Sequence, residues 1–232
     1  MSVPAQTLGS IANHQDEGRL VALVAPESMA AEQYRVLLAR LDRASVARPL
    51  RVVAISSCAR GEGRSLTAAN LALTAARDGR EVALVECDFR RPSLAQLFDL
   101  APRAGVAEVA EGKAELAQAL SRVGALAVLC AGEANDPAAV ARSPRLAATL
   151  ETLRSSFSLV VLDAPPALAL SDAGRLATSA DGIVLVVRAG ETPRDAVRMA
   201  VEALSERLVG IVLNGVHEPG YARYLRGDVV GA

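Results

Sequence analysis

Leu50-Arg-Val-Val-Ala-Ile55-Ser-Ser-Cys58-Ala-Arg-Gly61-Glu-Gly63-Arg-Ser65 passes from an apolar run into a loop carrying two glycines. A helical pattern follows from about Ser65 to Arg77 and is stopped by Gly79. A glycine-containing loop between a strand and a helix is where backbone amides can face phosphate oxygens, with the positive end of the new helix adding to their pull. Gly61 and Gly63 let the backbone curl, Ser65 offers a hydroxyl to Mg²⁺, and Gly61, Glu62, Gly63, Arg64, Ser65 and Leu66 form the expected phosphate cradle. An ordinary glycine-containing turn is the competing reading of this segment taken alone.

Outward from this loop the same alternation recurs. Apolar runs at Val82 to Val85, Ala125 to Leu129, Leu159 to Leu162, Ile183 to Val187 and Val209 to Leu213 read as strands. Between them a helix enters through Ser143 and Pro144, and another spans about Pro193 to Arg207. Upstream, Tyr34, Leu37, Leu38 and Leu41 fall at helical spacing from Ser28, a suitable N-cap, to about Arg43. Short, continuously apolar strands alternating with helices indicate a three-layer α/β fold, a mostly parallel sheet with helices on both faces. Ligands of such sheets bind at the carboxyl ends of the strands.

The organisation expected is a flexible leader over 1–19, a nucleotide-binding domain over 20–220 and a short tyrosine-containing tail over 221–232. A chain of 232 residues, 51% hydrophobic, is long enough for one large core. With a net charge of -1 and 3% aromatic residues, neither a global basic field nor a base-stacking surface points to nucleic acid. No apolar run approaches the roughly 18 residues of a membrane span, so a cytoplasmic chain without direct membrane insertion is expected. The three cysteines, Cys58, Cys87 and Cys130, form no C-x-x-C pair and read as small buried hydrophobes, and His14 and His217 have no partner at ligand spacing.

Two further strand ends carry acids. Glu86-Cys-Asp88-Phe-Arg90-Arg-Pro92 places two carboxylates two residues apart, on one side of an extended segment where they can face one ion. Leu159-Val-Val-Leu-Asp163-Ala-Pro-Pro166 is an apolar strand ending in a carboxylate, with prolines that stop the ladder. Phosphate-cradling and acidic segments at three strand ends suggest phosphoryl chemistry with a metal ion.

Together with Glu32-Gln-Tyr-Arg35, Asp172, Asp181-Gly-Ile-Val-Leu-Val-Val-Arg188 and Gly210-Ile-Val-Leu-Asn-Gly215, these motifs make the chain resemble the bacterial tyrosine autokinases of capsule and exopolysaccharide assembly. That family belongs to the P-loop class of the division and partitioning ATPases. The resemblance runs from about Val24 to Arg226. It implies binding of ATP and Mg²⁺, with Ser65, Glu86 and Asp163 at the metal and Asp88, Glu86 and Arg64 as catalytic groups. It also implies phosphorylation of tail tyrosines, here Tyr221 and Tyr224, and homo-oligomerisation through Glu32 and Arg35. The implied partner is a membrane-embedded polysaccharide chain-length regulator that recruits the chain to the inner face of the membrane.

The chain departs from that pattern. Arg64 stands where the family has lysine, so either the loop widens or Arg64 turns outward and leaves the phosphates without their cation. Glu86 replaces aspartate, Cys58 and Arg60 replace a small residue and proline, and Leu38 occupies the second arginine position of the leading helix. Arg60 is a candidate substitute cation. These changes motivate an alternative, a catalytically weak or inactive pseudokinase acting as a nucleotide-sensing or structural regulator of polysaccharide export. A positioning ATPase is disfavoured because Ala59 holds the place of its additional lysine.

Overall fold

In the computed structural model, residues 20–168 and 179–216 are described. A short turn of helix, α1 (Val21–Val24), precedes α2 (Met29–Ala47), whose N-cap Ser28 accepts the Ala31 amide at 3.1 Å. The helix buries Ala31, Leu38 and Leu41 on one face. The glycine loop then joins β1 (Val52–Ser57) to α3 (Arg64–Arg77), and β2 (Val82–Glu86) follows.

Next come α4 (Leu94–Leu97), α5 (Val106–Glu111) and α6 (Leu116–Ala119), then β3 (Ser121–Val123) and β4 (Leu126–Leu129). The chain continues through α7 (Pro137–Ala141), α8 (Pro144–Ser156), β5 (Leu159–Asp163), β6 (Gly182–Arg188), α9 (Arg194–Leu204) and β7 (Leu208–Asn214).

The strands form one sheet in the order β3-β4-β2-β5-β1-β6-β7, and every pairing is parallel except β3 with β4. This is the α/β architecture expected. Each β1 residue is buried, and alternate side chains serve opposite cores: Val52 and Ala54 pack on one face, Val53 and Ile55 on the other. α3 is buried along Thr67 to Ala76 because it lies between the sheet and α2, and its alanines allow both neighbours to approach closely. The register sets Ile55 beside Asp163 and Asp163 beside Glu86, so the carboxyl ends of β1, β5 and β2 lie next to one another.

Candidate functional site

The loop after β1 turns into α3 at Gly63, which has φ of 88°. A Cβ there would collide with the Asn214 amide at the end of β7, and only glycine adopts this backbone without strain. That amide donates to the Glu62 carbonyl at 2.9 Å. The buried Glu62 carboxylate fastens the loop at two points: Oε2 accepts the Ala59 amide at 3.0 Å, and Oε1 accepts the Thr192 hydroxyl, which lies between β6 and α9, at 2.6 Å. Expected among the cradle residues, Glu62 thus fixes the loop's shape with its side chain. Thr192 and Asn214 were not singled out from sequence. Their signal is only a hydroxyl four residues past one apolar strand and an amide at the end of another, the latter inside the Gly210–Gly215 motif.

Arg64, the first residue of α3, does not turn outward. It turns across the carboxyl ends of the sheet, where Nε donates to Asp163 Oδ1 and Nη2 to Asp88 Oδ2, each at 2.8 Å. Its planar fork presents separate N–H groups to two carboxylates on different strand ends, where a lysine would bring a single point charge. The side chain is 10% exposed, against 5% for Asp88 and none for Asp163. Burial works against the guanidinium's charge, but Asp163 and Asp88 outweigh it and hold the group firmly protonated.

Asp163 ends β5 and is fully buried. Burial pushes its carboxyl above the usual carboxylate range, opposed by Arg64 and by the nearby Ser65 hydroxyl. Oδ2 nonetheless finds no hydrogen bond of acceptable geometry. Such an oxygen is a ready acceptor for a cation. Asp88 is held by its own turn, Oδ1 accepting the Arg90 and Arg91 amides at 3.3 and 3.2 Å.

Glu86 requires a correction. Its Oε1 accepts the Ser93 amide and, at 2.9 Å, that of Leu94, while Oε2 accepts Ala131 at 3.0 Å. The carboxylate is committed to the start of α4 and the segment after β4, so it anchors these elements instead of joining a metal set. Burial pushes its carboxyl up, with the three amides opposing. β2 ends at Glu86, and the turn that follows sends the two acids to different partners.

Elsewhere, Arg60 is exposed on the loop, and Glu32 and Arg35 pair with each other on α2 at 2.6 Å. Leu66 is half-buried on the first turn of α3. Tyr221, Tyr224, Asp172 and both histidines lie outside the described residues. Among the described residues, no group of three or more His, Cys, Asp and Glu side chains is placed to hold a metal. A Mg²⁺ site completed by substrate phosphates needs only one or two carboxylates, so Ser65 with Asp163 fits that donor set.

Residues 49–216 match the ParA family, described as NUBPL iron-transfer P-loop NTPase. The chain is also 34% identical to tyrosine-protein kinase YwqD of Bacillus subtilis (strain 168), over 88% of its own length and 89% of that protein. The chain belongs to the bacterial tyrosine-protein kinases of the ParA-like P-loop class. The succinoglycan biosynthesis transport protein ExoP of Rhizobium meliloti (strain 1021) is 32% identical over 84% of the chain, which spans only 26% of that longer relative. Among solved structures, the kinase domain of Escherichia coli tyrosine kinase ETK superposes with a TM-score of 0.81 at 27% identity, covering 85% of this chain and 80% of that one. Cobyrinic acid a,c-diamide synthase from Mycobacterium smegmatis, solved with bound ADP and magnesium, shares the fold at a TM-score of 0.62 and 21% identity, covering 77% of this kinase-family chain and 80% of its own. Among the described residues, no helix is long and apolar enough to cross a membrane.

Proposed function

We propose that this P-loop kinase is an ATP- and Mg²⁺-dependent tyrosine autokinase that regulates the polymerisation and export of a capsular or extracellular polysaccharide. It works in the cytoplasm, at the inner face of the membrane, through a membrane-embedded chain-length regulator. The observation carrying this reading is the convergence of three strand ends, which brings the glycine loop, Asp88 and Asp163 together at the carboxyl edge of the sheet. ATP is the nucleotide, its phosphates cradled by residues 61–66 and the N-terminal amides of α3. Ser65 and Asp163 hold the metal, whose contribution is to neutralise charge on the transferring phosphoryl group. Asp88 receives the proton of the acceptor tyrosine, and Tyr221 and Tyr224 are the acceptors. Glu32 and Arg35 contribute to self-association.

The test is to incubate the protein with ATP, Mg²⁺ and the cytosolic segment of the chain-length regulator, and to map phosphate by mass spectrometry. Label is expected on Tyr221 or Tyr224, and Asp88→Asn is expected to lower its rate by about two to four orders of magnitude while ATP still binds. Absence of label in a protein that binds ATP and the regulator would overturn the reading. The paired state of Arg64 favours a second reading, a nucleotide-sensing or structural regulator without catalysis. Under it, a folded variant lacking both Asp88 and Asp163 carboxylates supports normal polymer export.

A further inference from the structure

The Asp88 and Asp163 carboxylates already have a cation. In a P-loop site read as above, a divalent ion and a basic side chain ordinarily occupy separate positions, the ion against acids and the side chain against phosphates. Here Nε and Nη2 of Arg64 reach both acids at 2.8 Å. One oxygen, Asp163 Oδ2, is buried and unsatisfied within the same cluster. A divalent ion drawn to that oxygen meets a guanidinium already bonded to the other oxygen of the same carboxylate. Two cations at one buried carboxylate repel strongly, because little water is present to screen them.

We infer that Arg64 is the resident counter-cation of the Asp88 and Asp163 pair and competes with divalent metal for it. The nucleotide-free protein therefore takes up metal weakly, and a triphosphate, by offering Arg64 another anion, couples nucleotide binding to metal binding. This inference rests on reading the cluster as a nucleotide and metal site, and it does not depend on phosphate transfer to tyrosine. It distinguishes this chain from a protein with lysine at position 64, whose compact ammonium would bring a single point charge in place of the fork.

Mn²⁺ alone, titrated into the nucleotide-free full chain and followed by the electron paramagnetic resonance of the free ion, tests the competition. If Arg64 blocks most of the population, Arg64→Gln is expected to bind Mn²⁺ about tenfold or more tighter than the wild type, since apparent affinity scales with the competent fraction. The gain is expected to vanish in the Arg64→Gln, Asp163→Asn double variant. Thermal melting supplies a second readout. Mn²⁺ is expected to raise the melting temperature of Arg64→Gln and to leave that of the wild type nearly unchanged.

Equal Mn²⁺ affinity in the wild type and a folded Arg64→Gln overturns the inference, as does a gain that survives Asp163→Asn. Should Arg64→Gln not fold, Arg64→Met, which also removes the charge, replaces it, with a gain over wild type expected and no gain overturning the inference. The two levels of reading separate cleanly. Failure to label tyrosine leaves the Mn²⁺ result intact, whereas unchanged Mn²⁺ affinity leaves the autokinase reading standing.

Discussion

At the end of β2 the Glu86 carboxylate serves backbone amides. Its two oxygens collect three backbone amides from two segments, satisfying donors that burial would otherwise leave orphaned. Glu86→Gln keeps the shape but turns an NH₂ toward one of those donors, and a loss of about 1 to 3 kcal/mol in unfolding free energy is expected in urea denaturation. A wild-type midpoint would show that the amides have other acceptors. The cysteines carry a second residue-scale prediction. Burial, reinforced by Glu62, pushes the Cys58 thiol up to about 11, and burial with Glu86 pushes Cys130 up to about 12, while Cys87 is raised further still. At pH 8 the Cys58 thiol is overwhelmingly protonated. Native protein is therefore expected to react slowly with a chromogenic disulfide reagent, and urea-unfolded protein to release all three thiols. Rapid stoichiometric reaction of the native chain would contradict this.

At the scale of elements, the glycine loop is shaped as much by distant strands as by its own glycines. Thr192 and Asn214 reach it from the ends of β6 and β7, through Glu62 and its carbonyl. Thr192→Val removes one partner of a buried carboxylate, and a loss of about 1 to 3 kcal/mol in stability is expected, with weaker ATP binding by calorimetry. Unchanged ATP affinity would mean the loop holds its shape without this tie. Such ties were not legible in the sequence, because side-chain hydrogen bonds across more than a hundred residues leave no periodic trace. The strands were legible: five of the apolar runs are buried on both faces within the sheet, the sixth forms its half-exposed edge β7, and each expected one is present to within a residue or two. The short α4, α5, α6 and α7 and the antiparallel β3 were not, since four to six residues carry too little periodicity to announce a helix and three too little to announce a strand. Of the site, the three converging segments were legible. The inward turn of Arg64 was not, because it depends on how far the ends of β2 and β5 stand from the start of α3.

Across the whole molecule, α2 joins the core to the outer surface, and the two faces make opposite demands. Leu38 stands where an assembling relative is expected to carry a second arginine, yet here it is 3% exposed and packed into the core beneath α2. Arginine at that position would sink into an apolar layer, so Leu38→Arg is expected to destabilise the fold by several kcal/mol instead of extending an interface. The self-association proposed for this helix would rest instead on Glu32 and Arg35, both partly exposed. Within one chain Arg35 donates to Glu32 at 2.6 Å and to the Pro26 carbonyl at 2.8 Å. An exposed ion pair of this kind holds by only about 0 to 1 kcal/mol, so either partner can exchange it for a charge on a second copy at little cost. Arg35→Glu sets two acids side by side on each copy, and sedimentation velocity at low salt is expected to show loss of the assembled species. Exchanging both residues, Glu32→Arg with Arg35→Glu, restores opposite charges across the contact and is expected to recover assembly in part. If both variants sediment like the wild type, the contact between copies lies elsewhere on the molecule.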